Sequence, residues 1–222
     1  MIGTRAPLRV RILGRVPYLE AWEMQKDLAE KRKRGEIEDR LLLLEHPSVY
    51  TLGRRGDLGH IRAAAGTLGA DVLRTDRGGD VTWHGPGQLV GYPILSLEPD
   101  RRDVVRYVRD LEEAIIRTLA DFGVTGERVP GHTGVWAGDE KVAAIGVRIS
   151  RWVTMHGFAL NVCNSLAPYK RIVPCGIEGK GVTTLSRLAG RPVAVAEAAA
   201  RMVMRFSEVY GREPFVGGDS DE

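Results

Sequence analysis

Apolar and charged residues alternate from Leu8 to Leu13 in the run LRVRIL, the period of two that predicts a half-buried strand. Pro17 then stands where a helix can begin. Tyr18, Ala21, Trp22, Gln25 and Ala29 mark one face of that helix, and the cations Lys31 to Arg34 close it. Leu41 to Leu44, Val49 to Leu52 and Leu89 to Leu95 read as short buried strands. From Gly53 to Gly91 glycine is frequent and helical periodicity is missing, which predicts loops and short strands. The clearest helical stripe comprises Val104, Val108, Leu111, Ile115, Leu119 and Phe122, with Asp100 placed to cap it. Gly134 to Trp136 and Lys141 to Ile149, joined by Ala137-Gly138-Asp139-Glu140, predict a hairpin, and Trp152 to Val162 a long strand tightly connected to it. A looped stretch to about Gly181 precedes a short helix from Thr184 to Leu188. A last helix runs from about Ala194 to Tyr210 and stops at Gly211.

Strands and helices are interspersed without the regular alternation of a doubly wound sheet, and several neighbouring strands are hairpin-linked. The expected class is therefore α+β, with a mixed or mostly antiparallel sheet in a single domain. No repeat or composition break divides the chain. Residues 1–216 are expected to form one domain, and residues 217–222 (GGDSDE) a disordered tail.

Composition narrows the class of function. Across 222 residues, 43% are hydrophobic and 27% charged, ordinary usage for a folded chain. A net charge of +3 is too small an excess to suggest nucleic acid as a partner. No apolar run approaches the roughly 20 residues that span a bilayer, so no membrane role is expected. The first residues lack a secretory h-region, and two cysteines make no disulfide framework, so a reduced, cytoplasmic setting fits. The five histidines and two cysteines share no metal-ligand spacing, and no metal is expected. Walker A and G-x-S-x-G patterns are missing too.

Four stretches carry candidate chemistry. Between Arg77 and Pro93, five glycines and two prolines frame Thr82, Trp83 and His84. Glycines allow close backbone approach to a ligand, with the rings as pocket walls. Lys141 opens an apolar strand of small residues, as a snorkelling edge residue or as a tuned proton carrier beside a thiol. Met155 to Cys163 is a strand interrupted at Gly157, with Cys163 expected as a small buried hydrophobe. Cys175 lies between Pro174 and Gly176 in a loop, a setting that makes it a nucleophile candidate.

In this order, RGGDVTWHGPGQ, Lys141 with AAIGVRI, HGFALNV and PCGI resemble the landmarks of the lipoyl (octanoyl) transferase family, and the likeness runs from about Leu8 to Tyr210. Trp83 stands where that family often has Tyr. The resemblance implies the biotin/lipoate protein ligase fold, with a mixed sheet, a smaller second sheet and helices packed around an acyl pocket. It implies movement of an octanoyl group from octanoyl-acyl carrier protein to one lysine of a lipoyl domain. The acceptors would be the E2 subunits of 2-oxoacid dehydrogenases and the glycine cleavage H protein. Cys175 would carry the acyl group as a thioester, and Lys141 would lower the thiol's pKa. Arg77, Gly78, Gly79, Asp80, Val81, Thr82, Trp83 and His84 would bind substrate, together with Ala144, Ile145, Gly146, Gly157, Phe158 and Ala159. No cofactor is implied, because thioester-to-amide transfer runs downhill without ATP. A fold-sharing ATP-dependent ligase and a non-catalytic acyl-binding module are the rival readings. Neither requires a nucleophilic cysteine.

Overall fold

The half-buried alternation at the start forms β1 (Ala6–Arg15), whose Leu8 and Val10 are fully covered. Residues 6–62, 68–99, 101–173 and 180–217 are described by the computed structural model. After β1 come α1 (Tyr18–Lys33), β2 (Asp39–Glu45), β3 (Val49–Leu52), β4 (Asp71–Arg74), β5 (Val81–His84) and β6 (Gln88–Ile94). The long helix α2 (Val104–Ala120) precedes β7 (Glu127–Val129), β8 (His132–Ala137), β9 (Glu140–Ser150) and β10 (Val153–Asn161). Then follow β11 (Gly181–Val182), α3 (Leu185–Leu188), α4 (Val195–Tyr210) and β12 (Arg212–Val216).

Among the described residues, the large sheet runs β12-β1-β2-β6-β10-β9-β8-β7, with β11 beside β9. The pairs β1/β12, β1/β2 and β11/β9 are parallel and the rest antiparallel. A second sheet, β4-β3-β5, carries its own apolar cluster around Tyr50, Leu52, Trp83 and Tyr169. One face of the large sheet packs on α2 and α4, the other on α1. This is the expected α+β arrangement, and the hairpin at Gly138 (φ 57°) turns where the sequence places it.

Three expectations need correction. Asp103, not Asp100, caps α2: its carboxylate accepts the Arg106 N–H at 2.9 Å. Asp100 lies outside the described residues. With the start displaced, Val104 is 47% exposed, and the covered stripe begins at Tyr107 and Leu111. Cys163 is exposed, because β10 ends at Asn161 and the chain turns outward, its Cys163 N–H donating to Gly87 O. The segment after Gly211 forms strand β12, parallel to β1, where no strand was expected. Of the tail, residues 218–222 lie outside the described residues.

Candidate functional site

Two adjoining cavities occupy the seam between the two sheets, and sequence-distant segments build them. On β9 and β10, Ala144, Ile145 and Gly146 pair directly with Ala159, Phe158 and Gly157. Gly78 N–H donates to Val147 O at 2.9 Å, fastening the RGGD turn against β9. Glycine is required at this seam. A Cβ on Gly146 would lie 2.7 Å from Gly78 O, and one on Gly157 would lie 2.2 Å from Gly91 O. Both clashes are with backbone, which cannot swing aside.

The inner cavity is narrow, leaving about 40 Å³ open to water-sized molecules. Of the predicted substrate residues, Arg77, Gly79, Asp80, Val81, Thr82 and His84 line it, as do Ala144, Ile145, Gly146, Gly157, Phe158 and Ala159. Trp83 does not. Successive side chains of a strand point to opposite faces, so Trp83 is carried into the second-sheet cluster while its neighbours Thr82 and His84 face the cavity. Its ring fills the place a Cβ on Gly85 would need, 2.1 Å away, and its Nε1 donates to Ser48 Oγ at 2.9 Å. Gly78 lines only the outer cavity. The sequence reading missed Tyr18, Val90, Tyr92 and His156, which complete the inner one.

The inner cavity is backed by a hydrogen-bonded set of neutral rings. Arg77 Nη2 donates to Thr51 Oγ1 at 2.8 Å, and the Thr51 hydroxyl in turn faces His84 Nε2 at 3.3 Å. Gln88 Oε1 accepts from His84 Nδ1 at 2.9 Å, and Gln88 Nε2 donates to Asn161 Oδ1 at 3.0 Å. This direction of donation assigns the His84 proton to Nδ1. Burial drives the His84 pKa well below the ordinary histidine range, and the Arg77 guanidinium pushes the same way. His46 donates from Nδ1 to Val16 O at 2.7 Å, and burial lowers its pKa to about 4. Tyr18 stacks on His84 with centroids 5.8 Å apart, and burial pushes its phenol up to about 12. His156 sits at φ 54°, held by its N–H donating to Gln25 Oε1 at 2.8 Å. Burial lowers its pKa, so it stays neutral and donates from Nε2 to Asp76 at 2.7 Å. That hydrogen bond is the main reason the Asp76 carboxyl titrates below the usual carboxylate range.

The outer cavity shares the wall formed by Gly79, Asp80, Ile145 and Gly146 and adds Lys141, Thr133, His132, His60 and Arg55. Lys141 is 7% exposed, donates to Thr133 O at 3.2 Å and lies 4.7 Å from the Trp136 ring centroid. The segment expected to carry the nucleophile, including Cys175, lies outside the described residues; its flanks are described. Val173 N–H donates to His60 O at 2.7 Å, Val182 pairs with Lys141, and Thr183 N–H donates to Lys141 O at 3.0 Å. Both flanks thus meet the chain at residues that line the outer cavity. Burial and the nearby Glu45 charge raise the pKa of the other thiol, Cys163. Among the described residues, no group of His, Cys, Asp or Glu could hold a metal ion, and no helix is long and apolar enough to cross a membrane.

Comparison with known proteins accords with this architecture. Residues 17–207 match the family model of the lipoyl protein ligase A/B catalytic domain. An octanoyltransferase from Rubrobacter xylanophilus is 53% identical over 213 residues, covering 93% of this chain and 96% of that protein. A lipoate-protein ligase A solved with ATP shares the fold at a TM-score of 0.73 and 16% identity, covering 97% of this chain and 90% of the other. The biotin protein ligase of Aquifex aeolicus matches at a TM-score of 0.51 and 14% identity, over 92% of this chain and 69% of the other. The cavity walls, the order of the motifs and the length of the match agree: this chain belongs to the lipoyl protein ligase A/B catalytic domain family, among whose members it is closely similar to octanoyltransferases.

Proposed function

We propose that this protein transfers an octanoyl group from the thioester of acyl carrier protein to a lysine ε-amine on a lipoyl domain, through an acyl-thioester on Cys175. The observation that carries this reading is the shared wall. The predicted acyl-binding segments enclose one cavity, and that cavity adjoins the one lined by Lys141. Octanoyl offers about six methylenes at about 0.8 kcal/mol each, roughly 5 kcal/mol of burial before ordering costs. The neutral histidines and tyrosines behind the cavity set no unpaired charge against that chain. Similarity to octanoyltransferases supplies the acyl group.

The proton steps follow from the residues. Lys141 as an ammonium stabilises the Cys175 thiolate, which attacks the donor carbonyl. The C–S bond to pantetheine breaks, and the leaving thiolate takes a proton from Lys141. The neutral Lys141 amine then takes a proton from the incoming lysine ammonium. The freed amine attacks the Cys175 thioester, expels the thiolate and loses its second proton to solvent as the amide forms.

The test is product identification. Octanoyl carrier protein, a lipoyl domain and this enzyme, mixed without ATP, should give octanoylated lipoyl domain. Transfer that needs ATP and free octanoate instead would assign the chain to the ligases.

A further inference from the structure

Ion pairing divides the surface of this molecule unevenly. Most arginines around the large sheet have a carboxylate partner, among them Arg102 with Glu98, Arg109 with Glu112, Arg117 with Glu113, Arg191 with Glu197 and Arg205 with Asp121. The second-sheet lobe is different. Among the described residues it exposes six cations, Arg54, Arg55, Arg62, Arg74, Lys170 and Arg171, against two exposed carboxylates, Asp57 and Asp71. Among the described residues, Arg54, Arg55, Arg62 and Arg74 make no ion pair and no side-chain hydrogen bond. The lobe's half-buried acids are already engaged, Asp80 by His60 and Asp76 by Arg148 and His156. The whole chain carries only +3, so this lobe concentrates positive charge rather than sharing a general excess.

The backbone places that charge beside the reaction site. Arg54 N–H donates to Arg77 O at 2.9 Å, and Arg55 N–H donates to Gly79 O at 3.1 Å. The guanidinium-bearing turn is thereby tied to the RGGD turn that walls both cavities. Arg55 itself lines the outer cavity with Lys141. Arg74 pairs in register with Leu52 just before that turn, and Arg62 N–H donates to Arg171 O at 2.8 Å. Leu58, 55% exposed, stands in the same lobe as an apolar contact point. Bare cations and an exposed leucine on the lobe tied to the RGGD turn complement a protein with an acidic, amphipathic face. Such fields steer association and weaken with salt.

We propose that this lobe surface, with Arg54, Arg62, Arg74 and Leu58, is the docking surface for the acidic carrier that delivers the acyl thioester. The proposal rests on the acyl-transfer reading above.

The experiment compares wild type with R54E/R62E/R74E, using octanoyl carrier protein and neutral octanoyl-pantetheine as alternative donors, at low and physiological salt. With the carrier donor, the variant's kcat/KM should fall at least tenfold and lose its salt dependence. With octanoyl-pantetheine it should stay within twofold of wild type. R54K/R62K/R74K, which keeps the charge, should retain at least half the carrier-dependent rate. Calorimetric titration of the carrier should show at least tenfold weaker binding to the triple glutamate variant. Equal losses with both donors, unchanged carrier binding, or a rise confined to the KM of the acceptor domain would each overturn the proposal. If wild type transfers from neither donor, the acyl-transfer reading fails, and the titration still decides the docking surface.

Discussion

Arg77 is the residue whose removal the structure weighs most clearly. Its guanidinium makes five donor–acceptor contacts among those described: Nε to Thr51 Oγ1, Nη1 to Gly78 O, and the two Nη2 protons shared among Thr51 O, Thr51 Oγ1 and Asp80 O. Three of these acceptors are main-chain carbonyls, of which Asp80 O keeps the Gly53 N–H at 3.2 Å; an unsatisfied buried carbonyl costs about 1–3 kcal/mol, so through the other two Arg77→Met faces roughly 2–6 kcal/mol. Two effects pull that down. Gly78 and Asp80 are only half-buried and can recover water, and the variant no longer buries a cation. Thr51 is fully buried and its carbonyl recovers nothing. The net expectation is a loss of about 3 kcal/mol, or about 6–12 °C in Tm for a chain of this size. Arg77→Lys keeps the charge, and its single nitrogen can replace up to three of the five contacts. About half the loss is expected. Urea and thermal unfolding followed by circular dichroism read both variants, and octanoyl transfer below the transition reads the loosened cavity wall. If Arg77→Met melts within about 2 °C of wild type, or Arg77→Lys fares no better than Arg77→Met, the clamp does not hold this site together.

Further outcomes follow from the same geometry. Gly157→Ala should cost at least about 3 kcal/mol, because its Cβ meets the Gly91 carbonyl. Gly123→Ala, at φ 73° with nothing within 4 Å, should cost only about 1 kcal/mol in the same melts. His46 has a folded pKa of about 4 against about 6.5 unfolded, so the unfolded state binds more protons between those values. Its contribution is therefore present above pH 6.5 and lost as pH falls toward 4, by about 3 kcal/mol. In urea titrations across that window, His46→Asn should show a shallower decline than wild type, and parallel declines would refute the assignment. Lys141→Ala should slow alkylation of Cys175 at neutral pH, whereas Lys141→Arg should preserve alkylation while losing transfer; equal alkylation in all three proteins would remove Lys141 from the thiol's environment.

Local periodicity made most elements legible. The stripe from Leu111 to Leu119, the hairpin at Gly138 and the two-residue alternation of β1 each rest on contacts close in sequence. The buried Gln25, assigned to the inner face of α1 on spacing alone, has a function there in bonding the bent backbone of His156. What escaped the sequence depends on distant partners. Strand β12 forms because β1, about two hundred residues earlier, leaves an edge open to it, and REPFV carries no strong strand signal of its own. Trp83 belongs to the same motif as His84, but the strand's alternation turns it away from the cavity. Tyr18, Tyr92 and His156 come from three elements, and only their packing makes them a cavity wall. Cys163 illustrates the limit of composition: the strand ends at Asn161, and past the still-buried Val162 the thiol emerges at the surface.

The account turns on the acyl-enzyme. Wild-type protein, Cys175→Ala and Cys163→Ala should each be mixed with octanoyl carrier protein, without acceptor, and examined by intact mass. Wild type and Cys163→Ala should gain one octanoyl group that hydroxylamine removes and a lipoyl domain accepts, while Cys175→Ala gains none. Octanoylation persisting in Cys175→Ala, or full transfer by that variant, would contradict the mechanism.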